Sequence, residues 1–86
     1  MNQPSVGDVV AQVINRVLTD SGRPARQFQP DDALTGTLGL DSLDLAVMVV
    51  GLEQALGVDP FRQGAAAVRT YGELVRLYES LCERKT

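Results

Sequence analysis

The pattern that most constrains the fold of this chain lies in its first twenty residues. Apolar side chains recur there at the spacing of one buried helical face, and they are Val6, Val9, Val10, Val13, Ile14, Val17 and Leu18. Ser5 and Asp8 resemble a capping box before this run, and Ser21-Gly22 supplies a stop after it. The pattern therefore predicts an amphipathic α-helix over residues 5–20.

The remaining segments predict further helices and no alternating strand. Residues 22–40 sustain no period, and their prolines, glycines and scattered apolar side chains predict a long loop that is pinned to the core. A nearly continuous apolar run predicts a second helix over 42–56, ended by a left-handed Gly57. Asp59-Pro60 and the capping box at Thr70 to Glu73 predict the remaining helices over 60–67 and 70–83. The expected fold is all-α, a single domain of residues 1–86 forming a four-helix bundle of three long helices and one short.

The second predicted helix has apolar residues at almost every position, so hydropathy alone does not identify its buried face. That face is predicted from the helical spacing of three and four residues. The spacing selects a core stripe of Leu45, Met48, Val49, Leu52, Ala55 and Leu56. It leaves the opposite face to Asp44, Val47, Gly51 and Gln54. Val47 is therefore expected to point outward, where an apolar side chain close to Ser42 can belong to a docking surface.

Composition excludes several kinds of active site. The chain has no histidine, which removes a Ser-His-Asp hydrolase and the commonest metal ligand. No zinc motif is present, and Asp31-Asp32 alone cannot supply the six or more oxygen ligands that a calcium loop uses, so no metal site is expected. No apolar run reaches the ~18–20 residues that span a bilayer. With a start that lacks the pattern of a secretory signal and with Cys82 as its one cysteine, the chain is expected to be cytoplasmic.

Charge is uneven along the chain. Residues 27–61 contain no Lys or Arg and six acids, which are Asp31, Asp32, Asp41, Asp44, Glu53 and Asp59. The remainder carries a formal +3, against −3 for the whole chain. The negative middle third disfavours nucleic acid and favours partners with basic surfaces.

A short motif, Leu38-Gly39-Leu40-Asp41-Ser42-Leu43-Asp44, places a hydroxyl at the start of the apolar helix. A serine in that position is commonly only a helix cap. A helix start also carries unpaired N–H groups and partial positive charge, which favour an attached phosphate by about 0.3–1 kcal/mol at an exposed site. Because the chain offers no histidine to activate the serine, the base for a modification has to come from another protein.

The motif and its surroundings resemble the acyl carrier protein family over roughly residues 5–82. The resemblance includes the regular first helix, the long loop, the L-G-L-D-S-L-D segment and the apolar helix ending in Leu56-Gly57-Val58. It implies that Ser42 carries covalent 4′-phosphopantetheine, whose thiol holds an acyl group as a thioester. The implied partners are a phosphopantetheinyl transferase and the enzymes that load and process the acyl group, and the protein itself is not an enzyme.

The resemblance also assigns the neighbours of Ser42 to recognition. Asp41, Asp44 and Glu53 match acidic positions that such carriers present to basic surfaces of partner enzymes. Leu43 and Val47 are expected to join the same docking surface. A cleft that shelters the cargo is expected to include residues of the second helix, which are Met48, Val49 and Leu52.

The chain departs from fatty-acid carriers, which are usually more acidic along the second helix. An outward glutamate is typical where Val47 stands, and further acids are typical at Gln54 and Ala55. The departure favours a free-standing, monomeric carrier of polyketide or other specialised-metabolite biosynthesis. Two alternatives stay open: a peptidyl or aminoacyl carrier of a nonribosomal pathway, and an unmodified helical interaction module in which Ser42 is only a cap.

Overall fold

The computed structural model describes residues 5–58 and 68–85, with side chains to residue 82. Its elements are three α-helices in the order α1 (Val6–Asp20), α2 (Ser42–Leu56) and α3 (Tyr71–Lys85). Within those ranges the one β feature is an isolated bridge between Ala33 and Thr70. The prediction of an all-helical fold is thus confirmed, whereas the predicted short helix over 60–67 lies outside the described residues.

Helix α1 begins and ends at the signals seen in the sequence. The Ser5 hydroxyl accepts a hydrogen bond from the Asp8 N–H at 3.1 Å, and the Asp8 carboxylate accepts one from the Ser5 N–H at 3.4 Å. These reciprocal bonds satisfy two donors that the first turn leaves unpaired. The helix buries one face, formed by Val10, Ile14, Val17 and Leu18.

The connection between α1 and α2 is held to the core along its length. Leu34, Leu38 and Leu40 are buried in it. Near its start, the Asn15 side chain exchanges two hydrogen bonds with the backbone of Arg26, at 2.9 and 3.0 Å. Backbone bonds then join its middle to the segment before α3, with Leu34 N–H donating to the Arg69 carbonyl at 2.9 Å.

The end of the second helix and the start of the third are both well defined. Gly57 ends α2 in the left-handed conformation, with φ of 74°, which glycine adopts without steric cost. Before α3, Glu73 accepts from the Thr70 N–H while Thr70 Oγ1 accepts from the Glu73 N–H, both at 3.2 Å. Helix α3 then continues to Lys85, beyond the predicted end at residue 83.

One core joins the three helices, and α1 packs against both α2 and α3. Met48 and Leu52 of α2 and Leu74 and Tyr78 of α3 are buried against the apolar face of α1. The Tyr71 hydroxyl also donates to the carbonyl of Gly7 at 3.0 Å, which ties the start of α3 to α1. No helix in the described part of the chain has the length and apolar character needed to cross a membrane.

Candidate functional site

Ser42 is the first residue of α2, and the residue before it caps the helix. Asp41 has the extended backbone of an N-cap, and its carboxylate accepts from the Asp44 N–H at 2.8 Å. Asp44 returns the contact by accepting from the Asp41 N–H at 3.2 Å. The two aspartates therefore form the capping box, and Ser42 is not the cap that the interaction-module alternative requires.

The Ser42 side chain is consequently available for chemistry. The residue is exposed, and within residues 5–58 and 68–85 no hydrogen bond engages its hydroxyl. Its position in the first turn places that hydroxyl beside the unpaired N–H groups of the helix start. The arrangement suits a covalently attached phosphate, because the helix end favours negative charge there.

Arg23 anchors this helix start to the rest of the fold, a role that sequence reasoning missed. Its guanidinium donates to the Asp44 carboxylate at 2.6 Å and to the Gly39 carbonyl at 2.7 Å. A third bond, from Arg23 Nε to the Ser21 hydroxyl at 3.0 Å, connects it to the end of α1. One side chain thus links the end of α1, the loop before Ser42 and the first turn of α2.

The same contacts fix the charge of Asp44. The Arg23 guanidinium, and then the Asp41 N–H, hold the pKa of the Asp44 carboxyl below its ordinary value of 3.8. The carboxylate side chain is 15% exposed. Asp44 was predicted to meet basic partners, but its charge is already offset by a cation of its own chain.

The exposed face of α2 is largely apolar. Leu43 and Val47, two of the predicted recognition residues, are 71% and 50% exposed. Val50 is 53% exposed, and helical spacing places it on the same side. Sequence analysis did not assign Val50 to this surface, although a spacing of seven residues, or two helical turns, places it on the same face as Leu43. Asp41 is exposed as well, whereas Glu53 is half-buried.

The residues predicted to line a cargo cleft lie in or against the core. Met48 and Leu52 are buried, with 1% and 0% of their surfaces exposed, and Val49 packs against the core from its edge. An open groove of about 350 Å³ lies elsewhere, between α1 and α2, and its lining includes Val13, Val47 and other residues of both helices.

The predicted core stripe of α2 is confirmed except at Ala55, since Met48 and Leu52 are buried and Leu45, Val49 and Leu56 pack against the core. Val47, Gly51 and Gln54, placed opposite the core by helical spacing, face α1 across the groove, and Ala55 is exposed at its edge instead of buried. The reason is the close approach of α1 at Gly51, where a Cβ would lie 3.0 Å from Cγ1 of Val13. The uniformly apolar sequence of α2 did not reveal which side α1 would take.

No group of three or more side chains in the described residues is arranged to hold a metal ion. The site therefore consists of an exposed serine at a helix start, the aspartates that cap that helix and the arginine that anchors it. Such an arrangement can carry an attached group, and it shows no nucleophile with an activating base.

Comparison with known proteins agrees with this geometry. Residues 8–77 match the family described as "Phosphopantetheine attachment site". The chain also resembles "Acyl carrier protein 1, chloroplastic" of Casuarina glauca, with 40% identity over 63 residues. The alignment covers 66% of this chain and 46% of that protein, so the chain spans about half the length of this relative. No solved structure gives a significant match.

The chain belongs to the acyl carrier protein family of phosphopantetheine-binding domains. Its cofactor is 4′-phosphopantetheine, which this family holds covalently. Members of the family carry substrates and are not enzymes.

The ion pair between Arg23 and Asp44 predicts a specific pH dependence of stability. Because the pKa of Asp44 is lowered on folding, its contribution to the free energy of unfolding is present above pH 3.8 and is lost as the pH falls through the folded-state pKa. Asp44→Asn should lower stability at neutral pH, and its difference from the wild type should shrink below pH 3.8. Urea unfolding from neutral to acidic pH measures this difference.

Asp31→Asn, at an exposed loop position, is the matched control and should leave the pH profile unchanged. Arg23→Gln should reproduce the loss at neutral pH, because it removes the other half of the pair. A constant difference between Asp44→Asn and wild type at every pH would contradict the role given to this ion pair.

Proposed function

We propose that Ser42 is the residue that carries the 4′-phosphopantetheine arm. The observation that carries this proposal is the reciprocal capping by Asp41 and Asp44, which leaves the exposed Ser42 hydroxyl outside the hydrogen bonding of the helix start. The serine also lies within the segment that matches the family. Its attachment point projects from the first turn of α2, where negative charge is favoured.

Attachment requires chemistry that the carrier itself does not supply. Ser42 Oγ attacks the phosphorus of coenzyme A that bears the pantetheine, forming a new O–P bond. The phosphoanhydride bond to adenosine 3′,5′-bisphosphate breaks, and the serine proton passes to a base on the phosphopantetheinyl transferase. This chain contributes an accessible oxygen and a favourable field for the new phosphodiester.

The function proposed for the loaded protein is that of an acyl carrier. The arm ends in a thiol that holds an acyl group as a thioester and presents it to loading and processing enzymes. A peptidyl or aminoacyl carrier is the alternative with the same arm. The acid two positions after Ser42 favours acyl cargo, since nonribosomal carriers rarely have one there. The proposed fold is a four-helix bundle with a long loop between its first two helices. The cleft that holds the cargo is proposed to include Met48, Val49 and Leu52.

The recognition surface is proposed to combine Asp41, Leu43, Asp44, Val47 and Glu53, facing basic docking surfaces on the partners. Its apolar share is large, because Leu43 and Val47 are exposed while Arg23 offsets Asp44. This composition supports a carrier in polyketide or other specialised-metabolite biosynthesis, and we propose with it the monomeric state and cytoplasmic location expected from the sequence. The chloroplast carrier named above makes a plastid location the competing proposal.

The attachment site is tested by intact mass after incubation with coenzyme A and a broad-specificity phosphopantetheinyl transferase. We expect the wild-type protein to gain one arm and Ser42→Ala to gain none. Ser80→Ala, which removes another exposed helical serine, should gain the arm like the wild type. A folded wild-type sample that gains no arm would instead support an unmodified interaction module.

The pathway proposal predicts poor recognition by a fatty-acid system. With the malonyl transacylase of a bacterial fatty-acid pathway, the holo-protein should be a weak substrate, and Val47→Glu should raise kcat/KM several-fold because it restores an acid to the docking helix. Ala46→Glu adds the same charge at the neighbouring exposed position and should have a smaller effect. Efficient turnover of the wild type, unimproved by Val47→Glu, would refute the proposal.

A further inference from the structure

Arg23 is held in place by the end of α1, so its cation is a fixed part of the surface around the proposed attachment serine. Gly22 before it has a left-handed backbone, with φ of 86°. The Arg23 N–H then donates to the Leu18 carbonyl at 2.8 Å, which fixes the backbone from which the side chain extends. From that point the guanidinium reaches the first turn of α2, where it contacts Asp44.

The carboxylate of Asp44 is largely covered by this contact. Its Oδ2 atom accepts from the Arg23 guanidinium at 2.6 Å and from the Asp41 N–H at 3.2 Å, and its side chain is 15% exposed. The Arg23 side chain is 32% exposed, so an approaching protein meets both members of the ion pair. The pair presents no net charge, although Asp44 is one of the acids expected to attract basic partners.

The acids around Ser42 therefore attract a basic partner less than their number implies. A partner that brings a cation to this surface also meets the guanidinium of Arg23, and like charges at an interface oppose association. One unit charge at contact distance in water changes an affinity by a factor of about two to five. An effect of this size is enough to discriminate between partners that bind by charge and partners that bind by other contacts.

We propose that Arg23 is a specificity-determining residue, which weakens the binding of partner enzymes with basic docking surfaces. The proposal rests on attachment at Ser42 and adds which partners that site accepts. The exposed side chains of Leu43 and Val47 carry no charge for the cation to offset. Partners that bind mainly through apolar contacts are therefore disfavoured less than partners that bind through basic side chains.

A structural role and a recognition role of this ion pair differ in their symmetry. A structural pair is lost when either member is removed, so Arg23→Gln and Asp44→Asn would then change recognition in the same direction. Recognition by charge depends on the sign of the group that is removed. Arg23→Gln makes the surface one unit more negative and Asp44→Asn makes it one unit less negative, so the two variants should change recognition in opposite directions. Both should still lower the free energy of unfolding.

The test measures kcat and KM of the apo-protein with saturating coenzyme A and a phosphopantetheinyl transferase chosen for its basic carrier-binding surface. Intact mass verifies that each variant gains the arm, and circular dichroism verifies that each is folded. At low salt, Arg23→Gln should lower KM by a factor of about two to five, and Asp44→Asn should raise it by a similar factor. The double variant should return close to the wild type, with kcat little changed throughout. These differences should shrink in about 0.5 M salt, where charges are screened.

Two further substitutions provide matched controls. Arg76→Gln makes the same change in net charge at an exposed position of α3 and should leave KM unchanged. Arg23→Lys keeps the cation but loses the planar fork of donors, so its KM should stay close to the wild type even where its stability falls. This variant serves as the test if Arg23→Gln does not fold, and a KM raised several-fold in it would refute the role given to the charge.

The possible failures are distinguishable. A folded wild-type protein that gains no arm would refute the attachment at Ser42 on which the proposal rests. Attachment that proceeds normally, with KM raised in both Arg23→Gln and Asp44→Asn, would overturn the role of Arg23 alone and leave the ion pair as a structural contact.

Discussion

The reciprocal hydrogen bonds between Asp41 and Asp44 are the interaction on which the site depends. A helix start leaves backbone donors unpaired, and one of its first residues usually has to satisfy them. Here two aspartates share that task around Ser42, which stays exposed between them in sequence. The helix start can therefore stay capped if Ser42 carries the proposed arm, because the serine oxygen is not one that caps the helix.

Arg23 extends this local arrangement to the tertiary structure. Its three hydrogen bonds join the end of α1, the loop at Gly39 and the carboxylate of Asp44. The loop before Ser42 is further held by Leu38 and Leu40, which are buried in the core. Apolar burial thus fixes the position of the loop, and the guanidinium fixes the direction in which α2 leaves it. The proposed attachment point thus lies at a helix start that the buried loop and Arg23 hold in place.

Much of this architecture could be predicted because it depends on local sequence. Two helix starts are marked by capping boxes, in which hydrogen bonds join residues three positions apart: Ser5 with Asp8 and Thr70 with Glu73. One helix end is marked by Gly57, which adopts the left-handed backbone conformation. The motif around Ser42 is equally local. These signals require no knowledge of how the helices pack.

The features that sequence reasoning missed depend on contacts between distant segments. No spacing rule relates positions 23 and 44, so the ion pair of Arg23 with Asp44 could not be derived from the order of residues. Ala55 was wrongly assigned to the core for a related reason: nearly every side chain of α2 is apolar, and the close approach of α1 at Gly51 leaves Ala55 exposed at the edge of the groove. The groove between α1 and α2 is a product of that packing.

Asp41, and not Ser42, caps the helix that is proposed to carry the arm. The most direct test of this assignment is the free energy of unfolding of Asp41→Ala and Ser42→Ala, measured side by side in urea. Loss of an N-cap costs about 0.5–2 kcal/mol, so Asp41→Ala should be destabilised by that amount while Ser42→Ala stays close to the wild type. A destabilised Ser42→Ala beside an unaffected Asp41→Ala would show that the serine holds the helix start, and would contradict the account.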